Sequence, residues 1–269
     1  MRRLVKPLSA ILIVAVLSIL IYSCKKETKQ EPQQEAISSQ VLDKIAALGF
    51  SKNNVQKHEE GYLIEGDIVL TENDLNNSPE VHFLRIAETE QYRTNNLVGS
   101  LPRTITVRVS TTLPSAYVTA TNEAIRRYNA ENLRITFQRV TSGGNIVITR
   151  APSGAGYLAS AGFPSGGNPY SSVRVNSSYL GSNPGTNYLA TILAHEMGHC
   201  IGFRHSDFMN RAYSCGGSPV NEGASTVGAV HIPGTPTGPA SGSWMLACIG
   251  SGQNRPFNTS DRTALNYLY

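Results

Sequence analysis

The sequence predicts an α+β fold: a twisted mixed sheet packed against a long buried helix and a C-terminal helix, with a small N-terminal region ahead of it. Three observations predict it. Residues 104–110, 133–140 and 145–149 alternate apolar and polar side chains, the period of half-buried strands. Between the first two of these runs, Ala116, Ala120, Ala124, Ile125 and Tyr128 recur at helical spacing. Further on, Leu189, Ile192, Leu193, Met197 and Ile201 mark a helix with an apolar stripe for a core. An order of strand, helix, strand, strand gives a mixed sheet with a helix across it.

Taken in order, the chain opens on the basic Arg2, Arg3 and Lys6, then an almost wholly apolar run over 8–22. That run is shorter than the ~20 residues a membrane-spanning helix needs, so residues 1–24 read as an export signal. It ends Ile21-Tyr22-Ser23-Cys24, similar to a bacterial lipobox, in which cleavage before the cysteine leaves Cys24 to carry lipid. Tyr22 stands where a small residue is usual, and an ordinary signal with an incidental cysteine is the other reading. Residues 25–36 have too few apolar side chains to bury and read as a tether. The rest of an accessory region, to residue 100, holds three short elements. Val41, Leu42, Ile45, Ala46 and Leu48 form a helix closed by Gly49; Tyr62–Glu65 and Asp67–Leu70 flank Gly66 as short strands or a hairpin; Ser78-Pro79-Glu80 opens a helix running to about Asn95. Residues 101–269 carry the predicted sheet. Pro114 and Ser115 open its first helix, Asn183–Asn187 form a turn, Tyr188–Ile201 the long helix, 214–243 a loop rich in Gly, Ser, Pro and Ala, and Ser260-Asp261 opens the last helix.

Chemistry concentrates in residues 195–207, HEMGHCIGFRHSD. On a helix, positions four apart share a face one turn apart, so His195 and His199 can aim ring nitrogens at one ion. Glu196 is offset by about 100°, too far round to be a ligand in the same plane, yet within reach of a water on that ion. Gly202 takes a left-handed conformation cheaply, so the chain turns back and brings His205 to the same ion. Three neutral imidazoles leave one position open, the mark of a catalytic zinc site; structural sites are closed by four protein ligands.

This run resembles the metzincin zinc peptidases, HExxHxxGxxH with a methionine turn, and more narrowly the bacterial HEIGH-type metallopeptidases, with Met197 in place of the Ile. The resemblance implies a metzincin-type catalytic domain over 101–269 with one catalytic Zn2+ held by His195, His199 and His205. Glu196 would be the general base of an endopeptidase acting on protein or peptide substrates. Two methionines compete for the methionine turn. Met209 follows His205 too closely for the chain to loop beneath the site; Met245 fits, as packing support and not as a ligand. Residues 154–164 resemble the edge-strand region of matrixins, with Ser160 where that family has a histidine ligand, so no second, structural zinc is expected. An edge strand there would let an extended peptide add to the sheet. Ala247 stands where some metzincins place a tyrosine near the zinc, and residues 246–257 would wall the pocket for the residue after the cut.

Asp207 either orients a histidine ring or caps a turn, and Asp261 either bonds the methionine turn or caps the last helix. His231 reads as a surface residue. The accessory region is propeptide-like. Once Cys24 is lipidated it holds no thiol for the open zinc position, which leaves Asp67, His58 and His82 as candidates beside the simpler reading of solvated side chains. Of the remaining cysteines, Cys215 and Cys248 would close a loop worth about 3.5 kcal/mol on a chain-entropy model, with Cys200 a buried thiol; pairing of Cys200 with either stays open.

The net charge of +4 includes three bases of the first 24 residues; without them 20 of the 23 Lys and Arg face 19 Asp and Glu. That balance gives no case for a nucleic-acid partner. Residues 25–99 are net acidic and 100–269 net basic, every base in the latter being Arg, which favours their docking. The sequence-level expectation is thus an exported, monomeric zinc endopeptidase, held at an outer-membrane or cell surface through lipid on Cys24 or released from it. The rival is a surface peptide-binding or adhesion module that keeps zinc with little turnover; an intact Glu196 argues against it, since a binder needs no base.

Overall fold

A computed structural model describes residues 36–48, 50–76, 91–222, 228–236 and 239–269. The signal-like stretch with Cys24, the tether up to residue 35, His82 and most of the second accessory helix lie outside the described residues.

The accessory region begins with helix α1 (Ser39–Ala47), whose N-cap Ser38 accepts from the Val41 amide. Strands β1 (Gln56–His58), β2 (Gly61–Ile64) and β3 (Ile68–Leu70) follow as an antiparallel meander, then helix α2 (Glu72–Asn76). Residues 92–93 correct the sequence reading of a helix to Asn95: Tyr92–Arg93 is strand β4. Helical spacing there is overridden by tertiary pairing, because the Tyr92 carbonyl accepts from Arg204 N, and Gly202 O accepts from Thr94 N.

The main sheet continues with β5 (Arg103–Val109), helix α3 (Ser115–Asn129), β6 (Ile135–Val140), β7 (Ile146–Arg150), β8 (Ala159–Ala161) and β9 (Ser172–Val175). Short helix α4 (Ser177–Leu180) leads to the long helix α5 (Thr186–Ile201); α6 (Ala212–Cys215), β10 (Val230–His231) and the C-terminal α7 (Thr259–Leu268) complete the order. Strands β5, β6, β7 and β9 run parallel, and β8 returns antiparallel to β9. One eight-stranded mixed sheet results, in the order β1-β2-β3-β8-β9-β7-β5-β6, while β10 pairs β4 separately.

Two cores hold this together. The larger buries Ile105, Val107, Ile146, Ile148 and Val173 of the sheet under Tyr117, Ala124 and Tyr128 of α3 and Leu189, Leu193 and Met197 of α5. Small Ala side chains on α3 let the helices approach, and Tyr128 donates to the Ala194 carbonyl of α5 at 2.7 Å. The smaller core joins Ile45, Leu48, Phe50, Ile64, Ile68, Leu70, Leu75 and Phe163. Strand β8 is therefore not an edge. Its free side is taken by β3 through Ile68 opposite Ala161, and Ala161 N donates to Asp67 O at 2.8 Å. Acidic accessory residues meet the arginines expected of them: Glu60 accepts from Ser172, Tyr170 and Arg174, and Glu65 pairs with the fully buried Arg204 at 3.0 Å.

Candidate metal centre

Helix α5 is buried along almost its whole length. Gly202 ends it with φ 111°, and a Cβ there would come within 2.7 Å of the Asn96 carbonyl oxygen. Only glycine fits both conditions. The chain then reverses, and His205 returns beside His195 and His199, with ring centroids 4.7–5.3 Å apart.

Each ring is fixed from behind. His195 Nδ1 lies 2.8 Å from the Trp244 carbonyl oxygen and His199 Nδ1 2.8 Å from that of Phe203. A carbonyl only accepts, so both Nδ1 atoms carry the hydrogen, and both Nε2 atoms present lone pairs. Those two Nε2 atoms stand 3.0 Å apart. Two facing lone pairs at that separation repel unless a cation lies between the rings and a further donor set. The set is present: His205 Nε2 and Asp67 Oδ2 join them, all four ligand atoms within 4.8 Å of one another. The residues therefore fit a divalent metal of the imidazole-preferring kind. Burial, with His195 and His205 beside it, holds His199 well below the ordinary histidine range, the neutral form a metal needs.

His205 is held differently. Its Nδ1 lies 3.1 Å from Glu222 Oε2, and Glu222 Oε1 accepts from Arg211 at 2.7 Å. Arg211 also donates to the Glu65 carbonyl oxygen. Glu65, His205 and Glu222 form a second carboxylate–imidazole group, but its anions are met by Arg204 and Arg211, so it serves as support for the first.

Glu196 is 2% exposed, and its Oε2 is buried with no hydrogen-bond partner among the described residues. Burial, and the Asp67 carboxylate near it, push its carboxyl well above the ordinary range. Burial opposes the charge of Asp67 as well, yet the neighbouring imidazoles, His205 foremost, hold that carboxyl well below its ordinary range.

Met245 lies beneath the cluster, fully buried. A Cβ on Gly198 would meet its Sδ at 2.6 Å, so the helix glycine is what admits the methionine. Met245 O accepts from Ser206 N, and Trp244 N donates to Asp261, which also completes a capping box with Asn258 on α7. Both structural readings of Asp261 hold at once. Met209 is half-buried in the turn after His205. Asp207 bonds no histidine among the described residues; it accepts from Ala247 N and Ser214 Oγ, holding the loops under the site. Cys215 is bonded to Cys248 in the same place, and Cys200 is a buried free thiol.

Of the three accessory candidates for the open position, Asp67 reaches the cluster; His58 instead lies 3.4 Å from Tyr157 and 3.5 Å from Ser160. His231 sits in β10 opposite Tyr92 and outside the cluster. Sequence reasoning missed Glu222 and Arg211. One signal was available, since Glu222 is the sole Asp, Glu, Lys or Arg across residues 214–243.

A buried histidine cluster at the end of a helix, packed on Met245 and beside a buried glutamate with one unpartnered oxygen, suits a metal-dependent hydrolase. The comparison with family models narrows this class: residues 62–269 match the family described as dual-action HEIGH metallo-peptidase, and the chain belongs to that family, whose members hydrolyse peptide bonds. Among curated protein sequences none matches it. Solved structures similar to the chain include two of myroilysin. One has 17% identity and a TM-score of 0.43 and covers 64% of this chain and 95% of that one; the other has 18% identity and a TM-score of 0.32, covering 41% and 48%.

Proposed function

We propose that this metallopeptidase is a zinc endopeptidase in which His195, His199 and His205 hold the ion, Glu196 is the general base and Met245 is packing support. The observation that carries the reading is the pair of bare Nε2 atoms 3.0 Å apart, with tautomers fixed by two backbone carbonyls. When bound, zinc supplies Lewis acidity, bringing the pKa of water toward 7 and polarising a carbonyl. Glu196 Oε2, buried and unpartnered, accepts the proton of the attacking water and returns it to the leaving amine. Its raised proton affinity suits a group that must hold the proton between those two steps.

Export and anchoring belong to the same reading and rest on sequence: the basic Arg2, Arg3 and Lys6, the apolar run and the lipobox-like end at Cys24. The enzyme would work as a monomer on peptides outside the cytoplasm, at the membrane surface or released from it. Among the described residues no helix is long and apolar enough to cross a membrane.

Cleavage of an unfolded protein by the zinc-loaded chain, after nicking of the accessory region by an added protease that is then inhibited, tests the mechanism. The Glu196→Gln form is expected to lose about 10²-fold or more of the wild-type rate. Turnover by Glu196→Gln at the wild-type rate would sink the assignment of the base.

A further inference from the structure

A pocket of about 550 Å³ opens beside the histidine cluster, and Arg255 is the one charged residue in its lining among the described residues. We propose that this pocket receives a carboxylate of the peptide substrate, either the side chain of an Asp or Glu flanking the cut bond or the peptide's own terminal carboxylate, and that Arg255 selects it. The inference rests on the peptidase reading for the cut, whereas the preference for a carboxylate is a property of the pocket's own lining.

Two connections place the pocket next to the cluster. Leu246 lines it and follows Met245, which packs against Gly198 of α5. On another wall, Arg255 N donates to Thr191 Oγ1 at 3.0 Å. Thr191 precedes His195 by four residues on α5, about one turn and ~6 Å along the helix. A peptide held across the three imidazoles therefore has this pocket within reach of a neighbouring residue.

The lining offers donors and keeps its acceptors occupied. Arg255 Nη1 donates to the Cys248 carbonyl at 2.8 Å and Nη2 to Gln253 Oε1 at 3.3 Å, both neutral acceptors. Gln253 Oε1 also accepts from Gly250 N, and Asn254 Oδ1 accepts from Arg127 at 2.9 Å. An amide whose oxygen is committed to the protein has its NH2 group left to offer. Ser214 Oγ is committed too, donating to Asp207 and accepting from Cys248 N. Burial pushes the Arg255 guanidinium below its ordinary range; Asp207 opposes that push, but its oxygens are taken by Ala247 N and Ser214 Oγ. A partly buried guanidinium with only neutral acceptors gains most from a planar, charged one, and a carboxylate is that partner. A basic side chain would meet a like charge, and an apolar one would cover the donors without giving them an acceptor.

The test uses the zinc-loaded full chain, nicked and freed of the added protease, as wild type, Arg255→Gln and Arg255→Lys. Its substrates are peptides built around a bond the enzyme cuts, differing only as Glu or Gln on either side of it, each with a free or an amidated C-terminus. Wild type is expected to cut a Glu peptide about tenfold or more faster than its Gln counterpart, a ratio that Arg255→Gln brings toward one and Arg255→Lys keeps in part. A variant that is merely less stable lowers both rates together and leaves the ratio alone. Preference for the free over the amidated C-terminus, lost in Arg255→Gln, would assign the pocket to the chain end instead of a side chain. Equal rates for all the peptides in wild type, or a Glu preference intact in Arg255→Gln, would overturn the proposal. Should nothing be cut, calorimetric binding of acetyl-Ala-Glu-Ala-amide and its Gln counterpart to the intact chain decides it. Tighter binding of the Glu form, abolished by Arg255→Gln, upholds the pocket while the peptidase reading fails; equal affinities overturn the pocket as well.

Discussion

The two sides of the histidine cluster are held by different materials. His195 and His199 lean on backbone, the carbonyls of Trp244 and Phe203; His205 leans on a side chain, Glu222, which Arg211 ties to the accessory hairpin. A carbonyl stays where the fold puts it whatever side chains surround it. A carboxylate disappears with one substitution. The first side is therefore as robust as the packing of α5 on Met245, whereas the second can be loosened locally and is wired to the accessory hairpin.

Breaking the side-chain half should have the largest effect. Glu222→Ala removes the partner of His205 and leaves Arg211 without its 2.7 Å carboxylate. Zinc affinity measured by chelator competition is expected to fall about 10–100-fold. An unchanged affinity would mean that His205 is placed by the chain reversal at Gly202 alone, and the contrast would collapse.

On the backbone half, damage should appear as lost stability before lost metal. Gly198→Ala gains about 1 kcal/mol of helix propensity but drives a methyl to 2.6 Å from Met245 Sδ and 3.2 Å from Trp244 Nε1. Overpacking of this kind costs about 1–3 kcal/mol, so chemical unfolding should show a net loss of about 1 kcal/mol, with zinc affinity moved less than by Glu222→Ala. A stabilised protein would show that Met245 yields freely and contributes little support.

A third test sharpens the comparison by leaving both halves alone. Glu123 on α3 is held at about 2, chiefly by its hydrogen bond to Arg126 and, against burial, by Arg127. Arg127 in turn donates to Thr191 on α5. A depressed carboxyl contributes stability that is complete above its unfolded value near 4.5 and lost as pH falls toward 2. With one arginine largely solvated, the expected loss is about 1 kcal/mol. Glu123→Gln should flatten the stability profile between pH 4.5 and 2 by that amount; an unaltered profile would remove this pair from the account.

What the sequence disclosed follows the same division. His195, His199, Gly202 and His205 lie within one helix and its reversal, so their convergence is a matter of local geometry that spacing records. Strands β5, β6 and β7 and helices α3 and α5 carry their periods openly for the same reason. Glu222 reaches His205 across a loop with no period to read, and Arg211 joins two segments far apart in sequence. Asp67 was visible only as one of several accessory candidates; what separates it from His58 is the register of the β2–β3 turn, which pairs Ile64 with Ile68 and leaves residues 65–67 to project at the cluster. Tyr92 misled because its helical spacing continued a pattern that ends where β4 docks on the loop after α5.

The central claim is that three imidazoles hold the metal and Glu196 does not. Native mass spectrometry of the intact chain after zinc loading tests it directly, with wild type, His199→Ala and Glu196→Gln side by side. The account predicts one zinc in wild type and in Glu196→Gln, and none retained by His199→Ala at the same free zinc. Retention of zinc by His199→Ala, or its loss from a folded Glu196→Gln, would contradict it.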